Sequence, residues 1–537
     1  MDIAPVVNSY YENFLELLAQ LLSRAVTTKE QEAILKGLKD FQEKLRRLSS
    51  QNLRRLQLEI SEKESQGPTF CKHEGKTCAQ NCTRGFIRAF VMSFGIKYLV
   101  AILPALLTGR VFKKPGLLRK MAGKDTTLFA LFMSVFLSTY KGTLCTLRNI
   151  RKKDDFKSDR LNSFIAGSLA GLSLLIDPSK SRRQAIMLYL LTRSLQFNGA
   201  WLMKKWAAHR KKARREELLE MKDQLDLAGF QDGEKRQLVV RKKWDDKLAK
   251  FLETWAGVGV MMIASGQIIY AFLFEAETLP KSYYQFLLVH SGWKQDVGPM
   301  AAPLTHAIGN TVNQLTKEKN IRLPSGWTSR EYIAQHFSPN IASVIPPKLK
   351  HNYIMCALQH PLDDSCTRSK ATLFGNEFLR ALKLYVPLNI IMTAVFRWSQ
   401  LKSEPEEVLD RFVKSCLRSA LFLACYVTIG FSTPCTVRPI VGKERHWIYM
   451  LTGLVCGSMT MIEARGRQLE LGLYCLPRAL ESWWKCMVKW GYARNVPHGD
   501  VILFMGAMGS LMTLYQNEPD TINRHYLSVM TRFFGRN

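Results

Sequence analysis

Residues 145–148 read CTLR and residues 435–438 read CTVR, and the stretches around them keep step. After the first comes FIAGSLAGLSLLID (164–177), after the second MLTGLVCGSMTMIE (450–463). Gly167 and Gly171 thereby fall on Gly453 and Gly457, and Asp177 falls on Glu463. Next, MLYLLTRSLQ (187–196) and GLYCLPRALE (472–481) bring Tyr189 onto Tyr474 and Arg193 onto Arg478. The stretches 266–288 and 509–530, each beginning at a glycine, run from apolar residues into an acidic tail containing tyrosine. Upstream, CKHEGKTC (71–78) answers CALQHPLDDSC (356–366), and each precedes an apolar run with one internal lysine, Lys97 or Lys383. One short match means little; six in the same order indicate a unit written twice.

A duplicated chain must fold as two units of one kind. Residues 71–288 and 356–530 are read as the two copies, joined by a linker at 289–350. Each copy offers five hydrophobic segments: 90–108, 126–140, 163–177, 184–203 and 256–274, then 379–396, 413–431, 447–462, 469–488 and 500–516. The run 256–274, AGVGVMMIASGQIIYAFLF, is free of charge and long enough to cross a bilayer. Mean hydropathy is close to zero only because charged stretches offset these runs. The expected fold is an all-α membrane protein built from two tandem helical repeats.

The net charge of +31 fits this reading. Lys and Arg gather in the connections between apolar runs, where the positive-inside rule places them. Zinc-finger spacing, an RNP motif and a phosphate-binding GxxxxGK[ST] loop are all missing, so nucleic acid is not an expected partner. The basic connections 141–160 and 203–250 lie two segments apart and can share the cytosolic side. The equally basic 109–124 would face the other way. The conflict disappears if the first segment of each copy lies in the interface with Lys97 or Lys383 snorkelling outward, which leaves four spans per copy.

Residues 1–66 read as soluble amphipathic helices, with Ile34, Leu38, Phe41, Leu45 and Leu48 on one stripe. That stripe packs on its own chain or on a protein partner. A charged helical insertion at 203–250 carries HRKKARREELLEMKDQLD (208–225), ended by Gly229 and Asp232-Gly233. Six prolines between 299 and 347 imply a linker ordered only in part. No basic n-region followed by an apolar core opens the chain, and it does not end in a peroxisomal address.

Gly167, Gly171, Gly453 and Gly457 form small-xxx-small motifs that let helix backbones approach closely in lipid. The expectation is that the two glycine-lined faces pack against one another. Arg193 and Arg478 lie within apolar runs, either paired with Asp177 and Glu463 or lining a polar path for an anion. Arg148 and Arg438, near segment ends, read as interfacial anchors. Cys71, His73, Cys78 and Cys82, then Cys356, His360 and Cys366, form Cys/His clusters. Zinc ligation, a redox-dependent crosslink and local packing are all open for them. Because ligand count and spacing differ between the copies, neither a metal nor a cofactor is expected. Position 365 is Ser where a His-x4-Asp acyltransferase motif would need Asp, and no nucleophile–base pair stands out, so an enzyme is not expected.

The stretches FCKHEGKTCAQNCTRGFIRAF, STYKGTLCTLRNIRKKDD and IAGSLAGLSLL, with HPLDDSC and LKLYVPL later, resemble the transmembrane protein 135 family. That family, also called peroxisomal membrane protein 52, is related to the Tim17/22/23 translocase channels. The resemblance covers about 70–300 well and 350–530 more loosely. It implies Tim17-like helical bundles in which the four glycines pack spans together. It also implies a multi-pass protein of peroxisomal and mitochondrial membranes, in contact with membrane lipids, with roles in organelle organisation, fission balance and lipid metabolism. It carries over no catalytic residue. The alternative is a transporter of a small anionic metabolite or lipid, with its path at the repeat interface.

Overall fold

The computed structural model describes residues 71, 77–107, 116, 121–152, 155–227, 244–318, 320–396 and 398–535. The expected helices of 1–66, and His73, lie outside the described residues. Within them the regular structure is helical, apart from one isolated bridge between Arg322 and Tyr353. The first half runs α1 (Cys78–Leu107), α2 (Lys124–Arg151), α3 (Phe156–Gly171), α4 (Lys180–Leu227), α5 (Trp244–Phe274) and α6 (Lys281–His290). A middle segment holds α7 (Ala301–Leu315), α8 (Ser329–His336) and α9 (Ile354–Gln359). The second half runs α10 (Cys366–Phe396), α11 (Pro405–Val441), α12 (His446–Ser458), α13 (Arg465–Lys489), α14 (Gly499–Asn517) and α15 (Arg524–Phe534).

The helix order of 78–290 thus recurs in 366–534, down to small details. Both α3 and α12 continue into a 3-10 turn, Leu172–Ile176 and Met459–Ile462. Both α2 and α11 end on a left-handed residue, Lys152 (φ 45°) and Gly442 (φ 67°). In each, the cap N–H returns to the carbonyl of the motif arginine, Arg148 or Arg438, so an otherwise orphaned helix-end acceptor is satisfied.

Four helices among the described residues are long and apolar enough to cross a membrane: Cys78–Ile102, Lys124–Arg151, Lys247–Phe274 and Pro405–Val441. Their outer faces are bare. Ile87, Val91, Ile96, Leu99 and Val100 are exposed on α1, and Leu409, Val413, Leu417 and Leu421 step by four along α11. Water would penalise such stripes and lipid does not. The interfacial reading of the first segments is met differently on the two sides. α1 has the length and composition of a span, whereas Glu377, Arg380 and Lys383 interrupt α10. Lys97 does not snorkel outward; its Nζ donates to Asp125 Oδ2 at 2.7 Å.

Two other expectations change. The charged stretch 208–225 is no separate element but the continuation of α4, whose 48 residues reach roughly 72 Å at the α-helical rise. Nor is 289–350 a loose linker. Ala301, Leu304, Ile308, Val312 and Leu315 give α7 one apolar face, buried with Ile333, Ile341 and Ile345. Its prolines sit where a missing N–H costs nothing: Pro303 in the first turn of α7 and Pro339 at the start of a short helix capped by Ser338. Gly309 lets α7 rest directly on the end of α5, since a Cβ there would lie 2.4 Å from the Leu273 carbonyl.

The glycine motifs do not meet each other. α3 packs along α14, and α12 along α5, so each half receives its partner helix from the other. A Cβ on Gly167 would lie 3.0 Å from Gly509 Cα, and one on Gly171 2.8 Å from Met505 Cα. In the mirror contact, a Cβ on Gly453 would lie 2.5 Å from Gly266 Cα, and one on Gly457 2.6 Å from Met262 Cα. Gly266 and Gly509 are the residues at which the matched stretches 266–288 and 509–530 begin. The hydrophobic cores follow the exchange: Phe132, Phe136 and Tyr140 of α2 are buried with Phe504, Met508 and Met512 of α14. Met261, Ala264 and Ile268 of α5 are buried with Phe422, Cys475 and Ala479.

Candidate functional site

Four side chains from three elements converge where α9 turns into α10. Cys356 lies on α9, His360 just past its end, Cys366 at the first residue of α10 and Cys435 near the end of α11. Their Sγ and imidazole nitrogen atoms all lie within 4.8 Å of one another. Cys366 Sγ is 3.8 Å from Cys356 Sγ and 3.2 Å from His360 Nε2. His360 Nδ1–H donates to the Asp363 carbonyl at 2.9 Å, which fixes the ring and turns Nε2 toward the sulfurs. The short Pro361–Ser365 turn lets one peptide segment present both His360 and Cys366.

A buried Arg438–Glu444 pair adjoins the cluster. Arg438, one helical turn after Cys435, is fully buried. Its Nη1 donates to Cys356 Sγ at 3.4 Å, its Nη2 to Gln359 Oε1 at 3.2 Å and its Nε to Glu444 Oε2 at 2.7 Å. Tyr449 adds a hydroxyl donor to Glu444 Oε1 at 2.5 Å. A hydrogen bond from Cys435 holds the Cys356 thiol below its ordinary range against the effect of burial, with the Arg438 charge assisting. Burial depresses the His360 imidazole, yet hydrogen bonds to Cys435 and the Asp363 carbonyl push it up to about 9.

The first half repeats the arrangement. Cys71, Cys78 and Cys145 bring their sulfurs within 4.8 Å, with Cys71 and Cys78 3.7 Å apart. Arg148 lies one turn after Cys145 as Arg438 does after Cys435; it is buried and bonded to Asp159 at 2.7 Å and 3.1 Å. Arg148 and Arg438 are therefore internal ion-pair members rather than interfacial anchors. Burying a guanidinium requires a carboxylate, and Asp159 and Glu444 supply it.

Cys82 is not in the first cluster; Cys145 takes that place, and Cys435 joins the second. These two are the cysteines of CTLR and CTVR, 67 and 69 residues beyond Cys78 and Cys366. The signal was available. The cysteines that recur in order are 71/356, 78/366 and 145/435, whereas Cys82 has no counterpart.

Arg193 and Arg478 do not pair with Asp177 and Glu463. Asp177 is held by Arg182 at 2.5 Å and 2.6 Å, and Glu463 accepts from Ser419 at 2.5 Å. Arg193 instead forms a fork with Glu470 of α13 at 2.7 Å and 3.2 Å, its guanidinium over the Tyr526 ring at 4.7 Å. Arg478 is half-buried on α13. Nor does His360 face a carboxylate, because its contact with Asp363 is to the backbone carbonyl. No protein-family model matches the chain, and no solved structure matches it.

Proposed function

We propose that this chain is two tandem copies of a Tim17-like helical unit and acts as a non-enzymatic, multi-pass component of peroxisomal or mitochondrial membranes. Its role is in organelle organisation or dynamics and in lipid metabolism. The family and organelle parts of this reading rest on the resemblance of Cys71–Gly171 and of HPLDDSC to the transmembrane protein 135 family. The duplicated unit is supported by the recurring helix order and by the two mirror-related glycine contacts.

The observation that favours an organiser over an anion transporter is the state of Arg193. A residue serving as an anion site needs an available guanidinium, and here both Nη atoms are directed at the Glu470 carboxylate. The test is a cell line lacking the protein, rescued with the tagged wild type or with the double variant Arg193→Leu/Arg478→Leu. An organiser restores organelle shape and number with both chains and colocalises with peroxisomal or mitochondrial markers. A double variant that is inserted normally yet abolishes rescue and metabolite flux together would establish the transport reading instead.

A further inference from the structure

We propose that Cys356, His360, Cys366 and Cys435 form a structural zinc site. Three thiols and one imidazole are a ligand set that zinc takes in closed, four-coordinate structural sites. A tetrahedral ion with Zn–S bonds of about 2.3 Å sets its sulfurs about 3.8 Å apart along each edge. Cys356 and Cys366 stand at 3.8 Å, and the matching pair Cys71 and Cys78 at 3.7 Å. A disulfide would need the sulfurs at about 2.05 Å. A two-iron cluster would spread its four ligands across two metal atoms, wider than the 4.8 Å that contains all four here.

The surroundings are those of a ligated imidazole and thiolate. The Nδ1–H bond to the Asp363 carbonyl leaves Nε2 as the coordinating nitrogen, the outer-shell arrangement metal-bound histidines use. Arg438 donates to Cys356 Sγ, giving the thiolate a charge-assisted donor while Glu444 balances the guanidinium behind it. On binding, Zn²⁺ displaces to solvent the thiol protons of Cys356, Cys366 and Cys435 and the Nε2 proton of His360, which then coordinates as the neutral ring. A pocket lined by Trp293, Asp363, Arg380, His360 and Cys435 gives the ion a way in. The site would staple the α9–α10 corner to the end of α11. In the first half, three thiols in the corresponding places join the start of α1 to the end of α2.

The experiment uses the full chain purified in detergent without chelator. Zinc is measured per chain by elemental analysis for the wild type, Cys435→Ser, His360→Ala and Cys82→Ser. The expected result is that Cys435→Ser and His360→Ala each lose one zinc per chain while Cys82→Ser loses none. Should either variant fail to fold, cobalt exchange into the wild type decides. Thiolate-to-cobalt charge-transfer absorption with intense tetrahedral d–d bands supports the site. A wild type with no bound zinc, an iron chromophore, a Cys356–Cys366 disulfide in the chain as isolated, or unchanged zinc content in folded Cys435→Ser would overturn the proposal.

Discussion

Replacing Gly453 by Ala is the sharpest test of how the helices are arranged. The added Cβ would lie 2.4 Å from the Ser265 carbonyl oxygen and 2.5 Å from Gly266 Cα, where ordinary contact lies at 3.4–4 Å. Neither atom can rotate aside, because both belong to the backbone of α5. The two helices must part by roughly 1 Å, and a gap of that size forfeits about a quarter to a half of the dispersion well for each contact along the seam. Overpacking costs about 1–3 kcal/mol, and backbone-on-backbone contact puts this site at the upper end. Gly167→Ala, whose nearest clash is 2.8 Å from the Met508 carbonyl, should cost less. Gly199→Ala is the control: nothing lies within 4 Å, and alanine is the better helix former by about 0.8–1 kcal/mol. Apparent melting temperatures of the detergent-purified variants should therefore rank Gly199→Ala at or above wild type, then Gly167→Ala, then Gly453→Ala. If Gly453→Ala melts with Gly199→Ala, α5 and α12 do not meet at Gly266 and Gly453.

Ser194 Oγ of α4 and Ser510 Oγ of α14 are 2.6 Å apart, so Ser194→Cys/Ser510→Cys should form a disulfide in membranes, read as a linked peptide pair by mass spectrometry. Its absence under oxidation would argue against the exchange of helices between halves. Arg438→Met strands Glu444 in a fully buried site and should destabilise by about 3–5 kcal/mol, whereas Lys414→Ala removes an exposed helical pair and should cost less than about 0.5 kcal/mol. Comparable losses in chemical denaturation would refute the distinction. Arg193→Leu leaves Glu470 with substantial access to solvent and should fall well short of Arg438→Met on the same scale.

Helix positions were legible because apolar runs and their charged edges mark them directly: all ten segments read from the sequence lie on helices, apart from Asp177, the extended residue that caps one of them, and residue 108, which is not described. What one sequence does not encode locally is which run meets which. Gly167 announces a close contact but not that Gly509, rather than Gly453, supplies it; only the fold of the intervening chain decides. The buried arginines were misread for a related reason. Position near a segment end suggests an anchor, while the acids that internalise them, Asp159 and Glu444, lie beyond the helix cap. The cysteine clusters were half legible. Neighbours in sequence were grouped, and the member brought back by a long antiparallel helix pair was left out. The proline-rich middle looked open because proline was counted without regard to its place in the helical turn.

The exchange of helices has a consequence for biogenesis. The surface of α3 that needs Gly509 is synthesised long before it, since 342 residues separate Gly167 from Gly509. While the ribosome works through that interval, α3 carries an unfilled glycine groove with no α14 to close it. α5 meanwhile stands ready for a groove in α12 that does not yet exist. Neither half can reach its final form alone, so any truncation between them yields two incomplete pieces rather than one competent module.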